Sequence, residues 1–338
     1  MRLLVTGGAG FIGSNLVEAA LADPAITDVR VIDDLSTGRA GNLHGQDVEL
    51  VEASILDPAA LDRATAGRDA VVHLAALPSV PRSVRYPLDS HAANATGTVM
   101  VLEAARRHEV GQVVVASSSS VYGANPGLPK NELDWTRPLS PYAASKLATE
   151  AYTLAYQASY GLAALAFRFF NVYGPRQRHD HPYAAVIPRF VHAALSGEPV
   201  LFYGDGNQSR DFTHVDTVSA VLLDAVRRGV RHDQPVNLAF ETRTSLRDLV
   251  AALETVLGRP IPRQVAAPRP GDVRHSQADS ALLRELFPGV EPAPLLDGLR
   301  STVAWFEIEL AGGRGVAPAA PVLVPAQGAA GGQGATCM

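Results

Sequence analysis

The chain has 338 residues, of which 47% are hydrophobic and 19% are charged, and its formal net charge is -5. This balance is ordinary for a soluble globular protein and predicts neither a nucleic-acid partner nor a membrane partner. Cys337 is the one cysteine, which excludes an intramolecular disulfide, and neither a signal-peptide pattern nor an apolar stretch of membrane-spanning length is present. We therefore expect a cytoplasmic protein.

Short apolar runs alternate with longer helical patterns through the first half of the chain. Buried parallel strands are predicted at residues 3–5, 29–32, 70–74 and 113–116, and helices at residues 12–22, 59–66 and 92–108. A long helix at residues 141–160, which Ser140 can cap, precedes a fifth strand at residues 163–169. The alternation predicts an α/β fold with a doubly wound parallel sheet of the Rossmann type.

The sequence pattern changes after Asn171, where Pro, Gly, Arg and aromatic residues are interspersed. One strand is predicted at residues 236–239 and one helix at residues 245–257. We expect a first domain of residues 1–170, to which later segments return, and a smaller C-terminal lobe of residues 171–311. Residues 312–338 are rich in Gly, Ala and Pro, which predicts a disordered tail.

A glycine-rich turn, TGGAGFIG at residues 6–13, follows the first predicted strand and opens the first predicted helix. Gly7, Gly10 and Gly13 would permit a tight turn, backbone approach to a pyrophosphate, and close packing of helix on strand. Asp33 ends the second predicted strand, where a carboxylate accepts hydrogen bonds from an adenosine ribose and repels a 2′-phosphate. The sequence therefore predicts NAD rather than NADP.

Tyr142 and Lys146 lie four residues apart in the predicted helix 141–160, so their side chains share one face. We expect the Lys146 ammonium, together with a cationic oxidised nicotinamide, to lower the pKa of Tyr142. Tyr142 could then act as a general base at a substrate hydroxyl. The serines of residues 117–120 end the fourth predicted strand, at the edge of the sheet where ligands bind, and one of them can hydrogen-bond the reacting oxygen.

These segments together resemble the extended short-chain dehydrogenase/reductase family, specifically its nucleotide-sugar epimerases. The resemblance extends to about Phe306. It is carried by the glycine turn and by HLAA at 73–76, SSSSVYG at 117–123, SPYAASK at 140–146, RFFNVYGPRQ at 168–177, GDGNQSRDFTHV at 204–215 and RPGDVRHSQAD at 269–279. It implies that the smaller lobe binds a nucleotide sugar.

The resemblance also implies roles for single residues. Tyr142 and Lys146 match the catalytic pair, and Ser118 matches the catalytic hydroxyl. Cofactor contacts are expected, besides the catalytic pair, from Gly7, Gly10, Phe11, Ile12, Gly13, Asp33, Ser54, Ile55, Leu74, Ala75, Ala76 and Asn94. Substrate contacts are expected from Ser119, Ser120, Asn171, Val186, Tyr203, Arg210, Arg269, Asp272 and Ser276.

Within the substrate set, Asn171, Arg210 and Arg269 match groups that hold the diphosphate, since planar guanidinium groups suit that anion. Tyr203 matches an aromatic ring that stacks on uracil, and Asp272 matches a ribose contact. One cofactor position departs from the family pattern, because Ser54 stands where relatives usually have an adenine-binding Asp. This departure affects the expected affinity for NAD rather than the identity of the cofactor.

The two residues after Ser118 distinguish between the reactions of the resembling enzymes. The resembling 4,6-dehydratases carry Asp-Glu after the catalytic hydroxyl, and the decarboxylases carry Glu at the second place, whereas this chain has Ser119 and Ser120. Epimerisation at C4 is the reaction that remains of the three. Tyr142 would remove the 4-hydroxyl proton as the hydride leaves C4, the 4-keto sugar would rotate, and the hydride would return to the other face. In the resembling epimerases the residue at the place of Ser276 lines the sugar pocket, and a small side chain there leaves room for a 2-acetamido group. The resemblance therefore favours UDP-GlcNAc/UDP-GalNAc, with UDP-Glc/UDP-Gal also open.

Two alternatives stay open. Arg82, Arg85, Arg176 and Arg178 could bind the carboxylate of UDP-glucuronate, which would make the chain a UDP-glucuronate 4-epimerase. The chain could also be a catalytically silent NAD-binding sensor or scaffold. No metal is expected, because residues 178–181 (RHDH) lack a specific ligand spacing. The predicted helices 92–108 and 141–160 resemble those that pair two subunits in the family, so we expect a homodimer.

Overall fold

The computed structural model describes residues 1–180, 184–267 and 274–313. Within these ranges the largest sheet has seven parallel strands in the order β11-β6-β5-β4-β1-β2-β3. The strands are β1 (Arg2–Thr6), β2 (Asp28–Asp33), β3 (Glu49–Glu52), β4 (Ala70–His73), β5 (Gln112–Ser118), β6 (Ala164–Phe169) and β11 (Val236–Leu238). The crossing from β1–β3 to β4–β6 is the arrangement of a Rossmann-type sheet.

Helices cover both faces of this sheet, because alternate strand residues point to opposite sides. On one face Leu3 and Val5 pack with α1 (Phe11–Leu21), α8 (Val215–Arg228) and α10 (Ala281–Leu286). On the other face Leu4 packs in a second cluster with the helices α2 (Pro58–Thr65), α5 (Gly97–Arg107) and α6 (Pro141–Tyr160). Two short helices, α3 (Val80–Arg85) and α4 (Pro87–His91), precede a π-helical turn at Ala92–Thr96 that leads into α5.

A smaller layer with its own apolar core lies beyond the sheet. Its helices are α7 (Val186–Ser196), α9 (Leu246–Leu257) and α11 (Leu295–Gly313). Its strand pairs are β7 (Asn171–Tyr173) with β10 (Phe212–His214), β8 (Val200–Tyr203) with β13 (Arg263–Ala266), and β9 (Ser209–Arg210) with β12 (Thr244–Ser245). Phe190, Phe202, Leu249, Leu253 and Phe306 form the centre of its core.

The helix and strand predictions of the first half are confirmed, with ends shifted by at most two residues. β3 was not among the predicted strands, and the predicted helix 92–108 begins with the π-helical turn. The predicted strand 236–239 is β11, which lies at the edge of the main sheet beside β6. The predicted helix 245–257 is α9, and Ser245 caps it with a capping box to Asp248.

The predicted tail lies largely beyond the described residues. Helix α11 continues through Gly313, so the first two residues assigned to the tail are helical, and residues 314–338 lie outside the described part. None of the helices in the described ranges has the length and apolar character needed to cross a membrane.

Candidate active site

A cavity of about 1250 Å³ opens where β1, β2, β4, β5 and β6 end, and the smaller layer forms its opposite wall. This position is the one at which doubly wound sheets bind ligands. The glycine turn, the end of β5 and the start of α6 line the side formed by the sheet. Residues of α7, β8 and β9 line the other side. One ligand site therefore contacts both layers.

Backbone atoms pack too closely against two glycines of the turn, Gly7 and Gly13, to admit a side chain at either position. Gly7 has φ +73, and a Cβ on it would lie 2.7 Å from the Ala75 nitrogen. A Cβ on Gly13 would overlap the Gly7 carbonyl oxygen and lie 2.7 Å from the Gly8 Cα. By contrast, a Cβ on Gly10 would meet only the Gly7 oxygen, at 3.2 Å, so the space beside Gly10 belongs to the cavity. The turn thus forms a cradle at the N-terminus of α1 that a pyrophosphate fits.

Asp33 is 7% exposed and lines the cavity beside this turn. One carboxylate oxygen accepts from the Ala9 nitrogen at 2.9 Å, and the other accepts from the Leu35 nitrogen at 2.9 Å. Burial raises the pKa of Asp33, and these two backbone donors lower it in opposition. Each oxygen keeps a further lone pair for a ribose hydroxyl. Ser36 and Thr37, which the sequence analysis did not single out, line the same end.

The remaining predicted cofactor residues divide into two groups. Those that line the cavity with the glycine turn are Phe11, Ile12, Ser54, Ile55, Leu74, Ala75 and Ala76. Asn94 is not among the lining residues of the described part. Its Oδ1 accepts from the Leu77 nitrogen at 2.7 Å, and its Nδ2 donates to the Ser145 Oγ at 2.9 Å. Asn94 therefore holds the loop after β4 against α6.

Tyr142, Lys146 and Ser118 all line the cavity where β5 ends and α6 begins. Ser140 caps α6 by accepting from the Ala143 nitrogen at 3.1 Å, which fixes the first turn that carries Tyr142. The Ser118 Oγ accepts from the backbone nitrogen of Ser120 at 3.2 Å. The predicted catalytic residues are thus brought together.

In the protein without its ligands, the pKa of Tyr142 reflects the surroundings of its side chain, and the lowering expected from Lys146 and the nicotinamide together stays a prediction. Burial raises the pKa of Tyr142, and interaction with the Ser118 hydroxyl lowers it in opposition. The Lys146 Nζ donates to the Ala116 carbonyl oxygen at 2.8 Å, and burial lowers the pKa of Lys146 to about 8. Desolvation outweighs the interaction with Ser118, and a bound cationic nicotinamide would act in the opposite direction by favouring the phenolate.

The smaller layer contributes the predicted substrate residues that the structure describes. Asn171, Val186, Tyr203, Arg210 and Ser276 line the cavity, as do Ser119 and Ser120 on the opposite wall. The Asn171 Nδ2 donates to the Asp211 carbonyl oxygen at 3.2 Å, and the Arg210 NH1 donates to the Ser209 carbonyl oxygen at 2.9 Å. The predicted residues Arg269 and Asp272 lie outside the described residues.

Charge is divided between the two ends of the cavity. Among its lining residues in the described part, the acidic ones are Asp33 and Asp34, both beside the glycine turn. Arg189, Arg210 and Arg274 line the side formed by the smaller layer. Arg189, on α7, was not predicted. An anionic ligand group is therefore favoured at the smaller layer.

The arginines considered for a hexuronate carboxylate lie elsewhere. None of Arg82, Arg85, Arg176 and Arg178 is among the lining residues of the described ranges. Arg176 pairs with Glu18 at 2.6 Å, and Arg178 pairs with Asp180 at 2.9 Å.

Residues 3–239 match the model of the NAD dependent epimerase/dehydratase family. A UDP-glucose 4-epimerase of Mycolicibacterium smegmatis is 40% identical over 315 residues, covering 90% of this chain and 98% of the relative. A dTDP-glucose 4,6-dehydratase of Streptomyces niveus is 35% identical over 319 residues, with 90% of this chain and 93% of the relative covered. The structure of a UDP-N-acetylglucosamine 4-epimerase from Methanobrevibacter ruminantium M1, in complex with UDP-N-acetylmuramic acid, superposes with a TM-score of 0.86 at 37% identity, covering 91% of this chain and 98% of that one.

Proposed function

Since the chain belongs to the NAD-dependent epimerase/dehydratase family, we propose that it inverts the C4 hydroxyl of UDP-GlcNAc and UDP-GalNAc. The broader activity, NAD-dependent 4-epimerisation of a UDP-sugar, agrees with the relatives named above. The observation that carries the proposal is the common cavity of Ser118, Tyr142 and Lys146, whose opposite wall holds arginines.

Bound NAD supplies the hydride acceptor and donor for C4, and its oxidised ring supplies a positive charge. Tyr142 takes the proton of the 4-hydroxyl and returns it after the sugar has rotated. Ser118 donates to the same oxygen, and Lys146 keeps an ammonium beside the phenol. The cradle at Gly10 and the carboxylate of Asp33 fit the pyrophosphate and the adenosine ribose of the cofactor.

The smaller layer has to hold the substrate while its sugar turns. Arg189, Arg210 and Asn171 line that wall, and guanidinium groups bind diphosphate oxygens with several donors at once. A diphosphate anchored in this way leaves the sugar free to rotate about the bonds of the linkage and to present its other face.

The distribution of carboxylates supports epimerisation over dehydration. Ser119 and Ser120 follow Ser118, and the Ser120 Oγ donates to the Ser118 Oγ at 3.0 Å. The acidic lining residues of the described part, Asp33 and Asp34, lie beside the glycine turn instead. Elimination of water needs a general acid at the leaving hydroxyl, and a serine is a poor one.

The choice of sugar rests on Ser276. Its backbone nitrogen donates to the Ser209 carbonyl oxygen at 3.1 Å, and the residue lines the cavity. A small side chain there leaves room for a 2-acetamido group. The glucuronate alternative is weakened, because the four arginines that motivated it do not line the cavity. A silent sensor would not need the assembled group of Ser118, Tyr142 and Lys146.

A homodimer and a cytoplasmic location stay predictions. Helix α6 carries two exposed tyrosines, Tyr152 and Tyr160, at 45% and 58% exposure, and a second subunit packed on α5 and α6 would cover apolar surface of this kind.

The test is proton NMR of the purified protein mixed separately with UDP-GlcNAc, UDP-glucose and UDP-glucuronate, first without added NAD and then with it. We expect the 4-epimer to grow fastest from UDP-GlcNAc. The variant Tyr142→Phe is the control for chemistry by this site. No conversion of any of the three sugars after NAD is supplied would refute the proposal.

A further inference from the structure

A buried ion pair lies directly behind the candidate catalytic group. The side chains of Glu150, on α6, and Arg168, on β6, are 2% and 5% exposed. The Arg168 Nε and NH2 donate to the two carboxylate oxygens of Glu150, each at 2.9 Å. Neither residue is among the cavity-lining residues of the described part. A buried pair of this kind rarely stabilises a fold more than apolar residues would, so its place behind the site calls for another role.

Ser117 connects this pair to the end of β5. Its Oγ lies 2.5 Å from the Glu150 Oε1, to which it donates, and 3.3 Å from the Lys146 carbonyl oxygen. The preceding residue, Ala116, accepts from the Lys146 Nζ at 2.8 Å. Ser117 and the following residue, Ser118, both line the cavity. Two successive residues of β5 are thus bonded to one turn of α6, and the next one carries the candidate catalytic hydroxyl.

We propose that Glu150, backed by Arg168, is a positioning residue that fixes the end of β5 on α6 through Ser117 and so sets the Ser118 hydroxyl relative to the Tyr142 hydroxyl. The inference rests on the proposed epimerase function. Its consequence is large, because a displacement of about 1 Å between reacting groups costs about a hundredfold in rate.

The same carboxylate acts on Lys146 through its charge. Burial lowers the pKa of Lys146 to about 8, and Glu150 raises it in opposition. The other titratable groups beside Lys146 are Tyr142 on α6 and His73 on β4, and burial lowers the pKa of His73 to about 3, so it is neutral. Loss of the Glu150 charge lowers the pKa of Lys146 further. Lys146 then loses its proton at a lower pH, and the alkaline limb of the pH–rate profile shifts to lower pH.

The first test is the variant Ser117→Ala, which cuts the link and leaves the ion pair in place. We expect kcat to fall between about tenfold and a hundredfold, with KM and the Kd for NAD changed less than about twofold. Ser280→Ala is the matched control, since Ser280 is 1% exposed, accepts from the Arg284 Nε at 3.2 Å and lies outside the cavity lining.

An active Ser117→Ala variant would overturn the inference, as would an equal loss in Ser280→Ala. An inactive wild-type protein would instead refute the proposed function on which the inference rests.

The second test separates positioning from stability. Glu150→Gln leaves Arg168 buried without its countercharge and should lower the denaturant midpoint. Glu150→Leu combined with Arg168→Met removes both charges and should restore that midpoint. We expect kcat to stay low in the double variant and its alkaline limb to move to lower pH. Recovery of kcat together with stability would show a merely structural role and overturn the inference.

Discussion

Two glycines of the same turn should respond differently to the addition of one methyl group: Gly13→Ala should destabilise the fold, and Gly10→Ala should weaken NAD binding. In Gly13→Ala the new Cβ would overlap the Gly7 carbonyl oxygen and approach the Gly8 Cα to 2.7 Å. Both contacts are backbone atoms, which cannot rotate away, so we expect a loss at the upper end of the ~1–3 kcal/mol range for overpacking. In Gly10→Ala the Cβ meets only one atom, at 3.2 Å, and the backbone has φ -75. We expect its free energy of unfolding to stay within ~0.5 kcal/mol of the wild-type value.

Binding of NAD should be weakened in Gly10→Ala, the variant whose stability we expect to be unchanged. The Cβ of Gly10→Ala would stand in the space where a pyrophosphate meets the turn, so we expect the Kd for NAD to rise at least about tenfold, equivalent to ~1.4 kcal/mol. Unfolding in urea is measured with NAD removed, because bound NAD would itself stabilise the fold. Calorimetric titration then gives the Kd. Unchanged NAD binding in Gly10→Ala, or equal stability of the two variants, would refute this account of the turn.

Three further outcomes are expected. Tyr142→Phe should lower kcat by about 10²–10⁴-fold while the Kd for NAD changes little, and a fully active variant would exclude Tyr142 as the base. Arg189→Met should raise the KM for the UDP-sugar by about tenfold or more, as expected for loss of one charge-assisted contact; an unchanged KM would place Arg189 outside the substrate site. The third outcome concerns His73, which is held neutral between Thr6 and Thr98 with its pKa lowered from 6.5 to about 3. As the pH falls below 6.5, the unfolded chain binds a proton at His73 and the folded protein does not. The free energy of unfolding should therefore decrease, by about 2 kcal/mol at about pH 5. Acid unfolding of His73→Gln should lack that component, and identical pH dependence would contradict the assignment.

Local patterns were enough to predict the elements that carry the site. The glycine turn, the Tyr142–Lys146 spacing and the serines after β5 each depend on neighbours within one strand or one helix. The order of apolar runs predicted the parallel sheet in the same way. β3 was missed because it is a short edge strand with only two apolar residues, Leu50 and Val51, and a run of two is too brief to recognise.

Effects that depend on burial or on distant partners could not be predicted. In the protein without its ligands the pKa of Tyr142 is raised, because burial, which the sequence does not show, outweighs the interaction with Ser118. Asn94 matched a cofactor position, yet its amide bonds to Leu77 and Ser145, which are 17 and 51 residues away along the chain. Arg189 carries no motif of its own, and only the folding of α7 against the cavity brings it to the site.

The place of β11 has a consequence for engineering. The strand completes the edge of the main sheet beside β6. The described residues between 171 and 214, which precede α8 and β11 in the chain, nevertheless belong mostly to the smaller layer. After β11 the chain returns to that layer in α9 and contributes Leu283 of α10 to the core under the sheet, and its described part finishes with α11 in the smaller layer. Segments of the smaller layer thus alternate along the chain with segments of the layer that contains the main sheet. Grafting the smaller layer from one relative to another therefore requires several matched junctions, and a chimera joined only at residue 170 would pair β6 with the β11 of the other relative.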